Sequence, residues 1–100
     1  MKYIRIDEIG RRFGLAPAML EALAREGLIE IKRTLEEEPV LSIDDVEKAR
    51  VAHLLMDELE VNLAGAEVIV RMRSEMIAMQ RQFGQILEAL VAEIRHVATR

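Results

Sequence analysis

Asp7-Glu8-Ile9-Gly10-Arg11-Arg12-Phe13-Gly14-Leu15-Ala16-Pro17-Ala18-Met19-Leu20-Glu21-Ala22-Leu23-Ala24-Arg25-Glu26-Gly27 is the stretch that decides the fold. Asp7 stands where an N-cap belongs, with a carboxylate able to accept from free amide N–H groups. A short first helix is expected from Asp7 to Phe13, ended by Gly14. Ile9 and Phe13 are four apart and share its buried face. Pro17 opens the second helix, because proline at the first helical position loses no hydrogen bond and presets φ. Met19, Leu20, Leu23 and Ala24 form its apolar stripe, and Gly27 closes it in the left-handed region. Two short helices joined by Gly14-Leu15-Ala16 make a helix-turn-helix.

Outward from this unit, Tyr3 to Ile6 is short and extended in character. Leu28-Ile29-Glu30-Ile31 is a strand candidate. Thr34 to Pro39 is polar, and Val40-Leu41 is placed to pair back as a small β-hairpin wing. Ser42, with Asp45 three positions on, starts a third helix running from Ile43 to about Glu58. Val46, Ala49, Leu54 (or His53) and Met56 or Leu55 are its candidate core positions. Asn62 caps the next helix. From there Ile69, Met72, Met76, Met79, Phe83, Ile86 and Leu90 follow at alternating spacings of three and four, a heptad seam. A helix of thirty-odd residues is about 50 Å long at about 1.5 Å per residue. Such a seam needs a partner, most simply a second copy of the chain, so these seven residues are the dimerisation candidates. Gly84 interrupts the helix and either allows close helix approach or marks a kink. Close approach is favoured, because the seam keeps its phase on both sides.

The fold class is therefore mainly α. A winged helix-turn-helix head over residues 1–60 carries a small β-hairpin wing, and a long coiled-coil-type dimerisation helix follows over residues 61–100.

Composition narrows the chemistry. Of 100 residues, 51% are apolar but only three are aromatic, so the core is aliphatic. With no cysteine, disulfides and thiolate metal sites are excluded, in keeping with a reducing cytosol. The N-terminus has no long apolar stretch, and no run approaches the roughly 20 residues that span a bilayer. A cytoplasmic protein without membrane contact is expected. Ser42 reads as a helix cap and Ser74 has no base beside it. His53 and His96 are too few for a structural zinc site. Gly10 and Gly14 are isolated and lack the Lys-Ser/Thr of a phosphate loop. No catalytic residue, metal or cofactor is expected, and the protein is read as a non-enzyme.

Charge separates the two parts. Residues 1–60 carry nine Lys/Arg against fourteen Asp/Glu, a balance of −5; residues 61–100 carry five Arg against four Glu, a balance of +1; together these make the chain's −4. The part patterned like a DNA-binding fold is the acidic one. Phosphate binding rests on Lys and Arg, so an acidic module points to a basic protein partner. Candidate partner contacts, chosen by exposure and charge, are Glu8, Arg12, Glu21, Glu26, Glu36, Glu37 and Glu38.

The run Leu59-Glu60-Val61-Asn62-Leu63-Ala64-Gly65 resembles the "LGVNLAG" turn of MerR-like proteins, with Glu60 where Gly is usual. Glu26-Gly27-Leu28-Ile29 is similar to the step after the second helix of that superfamily, and Ser42-Ile43-Asp44-Asp45-Val46 to the start of its third helix. Two branches keep this turn: HspR-type repressors, which bind DNA, and CbpM-type modulators, which bind the J-domain of a CbpA/DnaJ-type co-chaperone. DNA-binding members usually carry Arg-x-Tyr/Trp late in helix two and a basic, Gly-containing wing. Here those places read Leu20-Glu21-Ala22-Leu23-Ala24-Arg25 and Thr34-Leu35-Glu36-Glu37-Glu38-Pro39. Arg25, Lys32 and Arg33 remain on the basic side.

The chain thus resembles the CbpM-type chaperone modulators most. That resemblance implies an adaptor that covers the basic helical face a J-domain presents to a DnaK-type chaperone and so inhibits the co-chaperone. The alternative is a MerR/HspR-like DNA-binding transcriptional regulator that reads DNA with helix two.

Overall fold

A computed structural model describes residues 1–99. The elements run β1 (Tyr3–Arg5), α1 (Ile6–Phe13), α2 (Pro17–Arg25), β2 (Lys32–Arg33), β3 (Pro39–Ser42), α3 (Ile43–Asp57) and α4 (Leu63–Ala98). The chain is mainly helical, with one small antiparallel sheet and a long C-terminal helix, as the pattern of apolar residues predicts. By packing it divides into two compact units, Met1–Val70 and Arg71–Arg100.

In the first unit the punctuating residues act locally. Gly14 and Gly27 take positive φ, 68° and 74°, and end α1 and α2. The Leu28 N–H donates to the Leu23 carbonyl at 3.0 Å, closing the α2 terminus. Pro17 is the first residue of α2. Ser42 Oγ accepts from the Asp45 N–H at 3.1 Å and caps α3. Asn62 Oδ1 accepts from the Gly65 N–H at 2.8 Å and caps α4.

The start of α1 differs from expectation. The capping position is Arg5, which makes no side-chain cap bond, and the helix begins at Ile6. Asp7 already lies inside the first turn, where its Oδ1 accepts from the Glu8 N–H at 2.8 Å. The extended segment before it is drawn into the sheet, and this sets the helix start one residue earlier.

The strand expected at 28–31 is also displaced. Leu28 and Ile29 are buried plugs of the core, 4% and 5% exposed, and pairing begins only at Lys32. Asp45 Oδ2 accepts from the Glu30 N–H at 2.9 Å, fastening the linking segment to α3. The wing hairpin forms, but β3 sits at the centre of a three-stranded sheet in the order β1-β3-β2. Tyr3 faces Ser42, Ile4 faces Leu41 and Arg5 faces Val40 on one side; Lys32 faces Val40 and Arg33 faces Pro39 on the other. Val40 is paired on both sides, Leu41 pairs with Ile4 and packs into the core, and both are buried.

The core of this unit joins Ile4, Ile9, Leu15, Leu20, Leu23, Leu28, Ile29, Leu41, Val46, Ala49, Ala52 and Val70. On α3 the inward residues are Val46, Ala49 and Ala52, with Leu55 packed against them, whereas Leu54 is 48% exposed. The small Ala52, which apolar ranking passes over, lets α3 approach closely. His53 is half-buried.

Along α4, Ala66 and Val70 are buried and Leu63 packs on the core. A Cβ placed on Gly65 would meet Val61 Cγ1 at 2.8 Å, so this glycine admits a close approach. Ala64 beside it is exposed. The helix has 36 residues and continues through Gly84, about 54 Å at 1.5 Å per residue. Within the second unit it is a single helical segment, and its large apolar side chains other than Ile77 are exposed.

Candidate functional site

The wing is built by a tight turn. The Glu37 N–H donates to the Thr34 carbonyl at 2.9 Å, and the Thr34 N–H donates to the Glu38 carbonyl at 2.9 Å. Glu37 follows this turn at φ 64°, a left-handed position that glycine normally fills. Thr34 Oγ1 also accepts from the Glu38 N–H at 3.2 Å. The tip therefore holds Leu35, fully exposed at 100%, beside Glu36 and Glu37. The order of residues gave no sign that Leu35 stands free, because a leucine in a turn is usually folded back.

Basic residues near the wing are engaged. Arg5 lies 3.6 Å from a Glu38 oxygen and 3.9 Å from Asp7. Arg33 donates from Nη1 to the Glu37 carbonyl at 2.9 Å. The Lys32 ammonium sits 5.7 Å from the centre of the Tyr3 ring. Such exposed ion pairs each contribute little to stability, about 0–1 kcal/mol.

The predicted partner contacts separate into groups. Glu8 and Arg12 lie one turn apart on α1 and pair at 3.4 Å. Glu21 stands exposed in the middle of α2, and Glu26 occupies the residue that ends it. Glu36, Glu37 and Glu38 form the exposed wing loop. The fold brings Glu21 and Glu38 to the margins of two adjoining depressions, of about 330 and 350 Å³, which share Ile6, Pro17 and Pro39. Glu8, Arg12 and Glu26 are not among the lining residues.

A separate cleft of about 310 Å³ lies between α1 and α3. Its one aromatic, Phe13, has guanidinium carbons of Arg12 and Arg50 each 5.1 Å from the ring centre, so cations already cover the ring. Among the described residues no group of three or more His, Asp or Glu side chains is placed to hold a metal ion.

The seven seam residues keep to one stripe of α4. Their exposures run from 41% at Ile69 to 68% at Met79. Leu87, Val91, Ile94 and Val97 widen the stripe toward the C-terminus, at 44–67% exposure. An apolar stripe of this size is uncommon on a free surface.

Residues 4–88 match the sequence model of a family described as the MerR HTH family regulatory protein. No curated protein matches the chain.

Proposed function

Because the chain belongs to the MerR helix-turn-helix family of regulatory proteins, we propose a regulator whose target is another protein: a chaperone modulator that grips the J-domain of a CbpA/DnaJ-type co-chaperone and inhibits its action on a DnaK-type chaperone. In this reading it is a cytoplasmic non-enzyme, with the head of residues 1–60 as the gripping part and the helix of residues 61–100 as the means of homodimerisation through Ile69, Met72, Met76, Met79, Phe83, Ile86 and Leu90.

The observation that carries the reading is the exposed face of α2. It presents Pro17, Ala18, Glu21 and Arg25. Base readout uses Arg, Lys, Asn or Gln against base edges, and the middle of this face offers the Glu21 carboxylate, between Ala18 and Arg25. The helix start is equally unsuited to phosphate. Pro17 has no N–H, and the Met19 N–H already donates to the Ala16 carbonyl at 3.0 Å. With Glu36, Glu37 and Glu38 on the wing, the surface fits a basic protein better than a polyanion. The exposed Arg25, Lys32 and Arg33 favour the second reading, a MerR/HspR-like DNA-binding regulator.

Calorimetric titration with the J-domain of the co-chaperone from the same genome, at two salt concentrations, tests this. Binding that weakens with salt, together with loss of J-domain stimulation of the DnaK-type ATPase, is the expected result. Absence of heat from folded protein at both salts, with salt-sensitive duplex binding instead, would move the function to DNA.

A further inference from the structure

From the two depressions that meet at Ile6, Pro17 and Pro39, we infer a docking groove for a helix that inserts one aliphatic or aromatic side chain flanked by Lys or Arg. This inference rests on the protein-binding reading above and names where on the head the partner sits.

The floor is apolar in its side chains. Ile6, Pro17, Leu20, Ile31 and Pro39 line it. Leu20 is fully buried, and Ile6, Ile31 and Pro39 are half-buried, so their free faces line open space instead of a filled core. Two of the three shared residues are prolines, which have no N–H to offer an anion. Pro17 is fixed at the first position of α2 and Pro39 begins β3. Their rings hold rigid walls, so a bound side chain loses its own freedom but costs little in ordering the groove.

The rim carries Arg5, Asp7, Glu21, Arg33 and Glu38. Arg5 is held by Asp7 and Glu38, and Arg33 by the wing backbone. Among the described residues Glu21 has no ion-pair partner, and it stands at the α2 wall of the groove. An apolar floor with one uncommitted carboxylate at its edge selects an apolar anchor beside a cation. The cleft between α1 and α3 does not compete, since two guanidinium groups already cover its aromatic ring.

The position makes a kinetic distinction. Glu36 lies outside the groove on the wing loop, where it steers encounter; Glu21 borders the docked anchor, where it holds the complex. Charges that stay outside the contact act mainly on the association rate, and charges in close contact with the partner act mainly on dissociation. With the J-domain as probe, Glu21→Lys is expected to speed dissociation about tenfold. Glu36→Lys is expected to slow association and change dissociation by less than about twofold. Both positions are exposed, so the fold is kept.

Amide shifts of ¹⁵N-labelled wild-type protein supply a second measurement, with Ile6, Glu21, Ile31 and Arg33 expected to move most on adding J-domain. If the J-domain binds but the shifts fall in the α1–α3 cleft, or Glu21→Lys leaves dissociation unchanged, the groove is wrong and the modulator reading stands. If no J-domain binding occurs at all, both fall. If duplex DNA moves the groove amides, the surface belongs to nucleic acid and the inference is overturned.

Discussion

Phe83 and Met76 stand in the middle of the α4 seam, and replacing them tests the proposed homodimer. Phe83 is 62% exposed and Met76 60% exposed in the single chain. A covered aromatic side chain hides about 150–250 Å², so closing the free part of Phe83 removes about 100–150 Å² from water. At about 25 cal/mol per Å² this is about 3 kcal/mol for each protomer, and about 6 kcal/mol for a symmetric pair. If a partner helix covers only half of that surface, about 3 kcal/mol remains, roughly a hundredfold in the dimer dissociation constant. Phe83→Glu forfeits this and sets a carboxylate in an apolar seam, which adds a desolvation cost. Glutamate is a good helix former, so the helix itself is kept.

Sedimentation equilibrium is the assay, with circular dichroism to verify helicity. Wild type is expected at twice the chain mass. Met76→Glu and Phe83→Glu are expected to sediment as monomers at micromolar concentration. Gln85→Glu, which adds the same charge off the seam, is expected to remain dimeric. A wild-type monomer, or a Phe83→Glu protein that keeps the dimer mass, refutes the assignment of the seam as the interface.

Two further outcomes follow from backbone geometry. Glu60 has φ 55°, in the left-handed region, which costs a non-glycine residue about 1–2 kcal/mol; part of that gain is lost to the freer unfolded chain, so Glu60→Gly is expected to raise stability by about 0.5–1 kcal/mol in urea denaturation. A drop in stability would show that the Glu60 side chain contributes more than its backbone costs. Nothing lies within 4 Å of a Cβ built on Gly84 in the single chain, so Gly84→Ala is expected to stabilise the helix of the monomeric Phe83→Glu background by about 1 kcal/mol, read as higher helicity by circular dichroism. In an otherwise wild-type chain the same change is expected to weaken self-association, as close helix approach requires; unchanged association would leave Gly84 without a packing role.

The Glu60 result shows how far a sequence resemblance reaches. The turn around residues 59–65 resembles one in which Gly is usual at this position, and the backbone there is left-handed. The turn keeps its shape although the residue that makes it cheap has been replaced. The same holds at the wing, where Glu37 takes a glycine-like φ of 64°. Local geometry at both sites is imposed by what flanks it, not by the residue itself.

The candidate site was legible in unequal measure. The α4 seam lies in one helix, and a spacing of three and four is enough to place seven residues on one stripe. Exposed acids on α2 and the wing were also readable, since neither Glu21 nor Glu36 has a core position to occupy. The groove was not readable. It needs Ile6, Pro17, Ile31 and Pro39 side by side, from four separate elements or loops, and no periodicity relates those positions. On α3 Val46 and Ala49 were readable as core positions, but Ala52 was not: Leu54 is a stronger apolar residue yet stays out, because a close helix approach selects the smaller side chain.

By itself the sequence determined whatever depends on a few neighbouring residues. Gly14 and Gly27 stop helices because they reach φ above zero without strain, Pro17 starts one, and Ser42 and Asn62 cap two more by accepting an amide three residues on. Short-range hydrogen bonds and backbone sterics decide these points wherever the segment lies. Tertiary structure decided what depends on distant partners. β1 pairs with β3 and moves the start of α1 to Ile6; Leu28 and Ile29 leave the strand to plug the core; Arg5 meets Glu38 across the sheet. Each of these is settled by burial and pairing between segments far apart in the chain, and the energy that selects them exists only once both segments are in place.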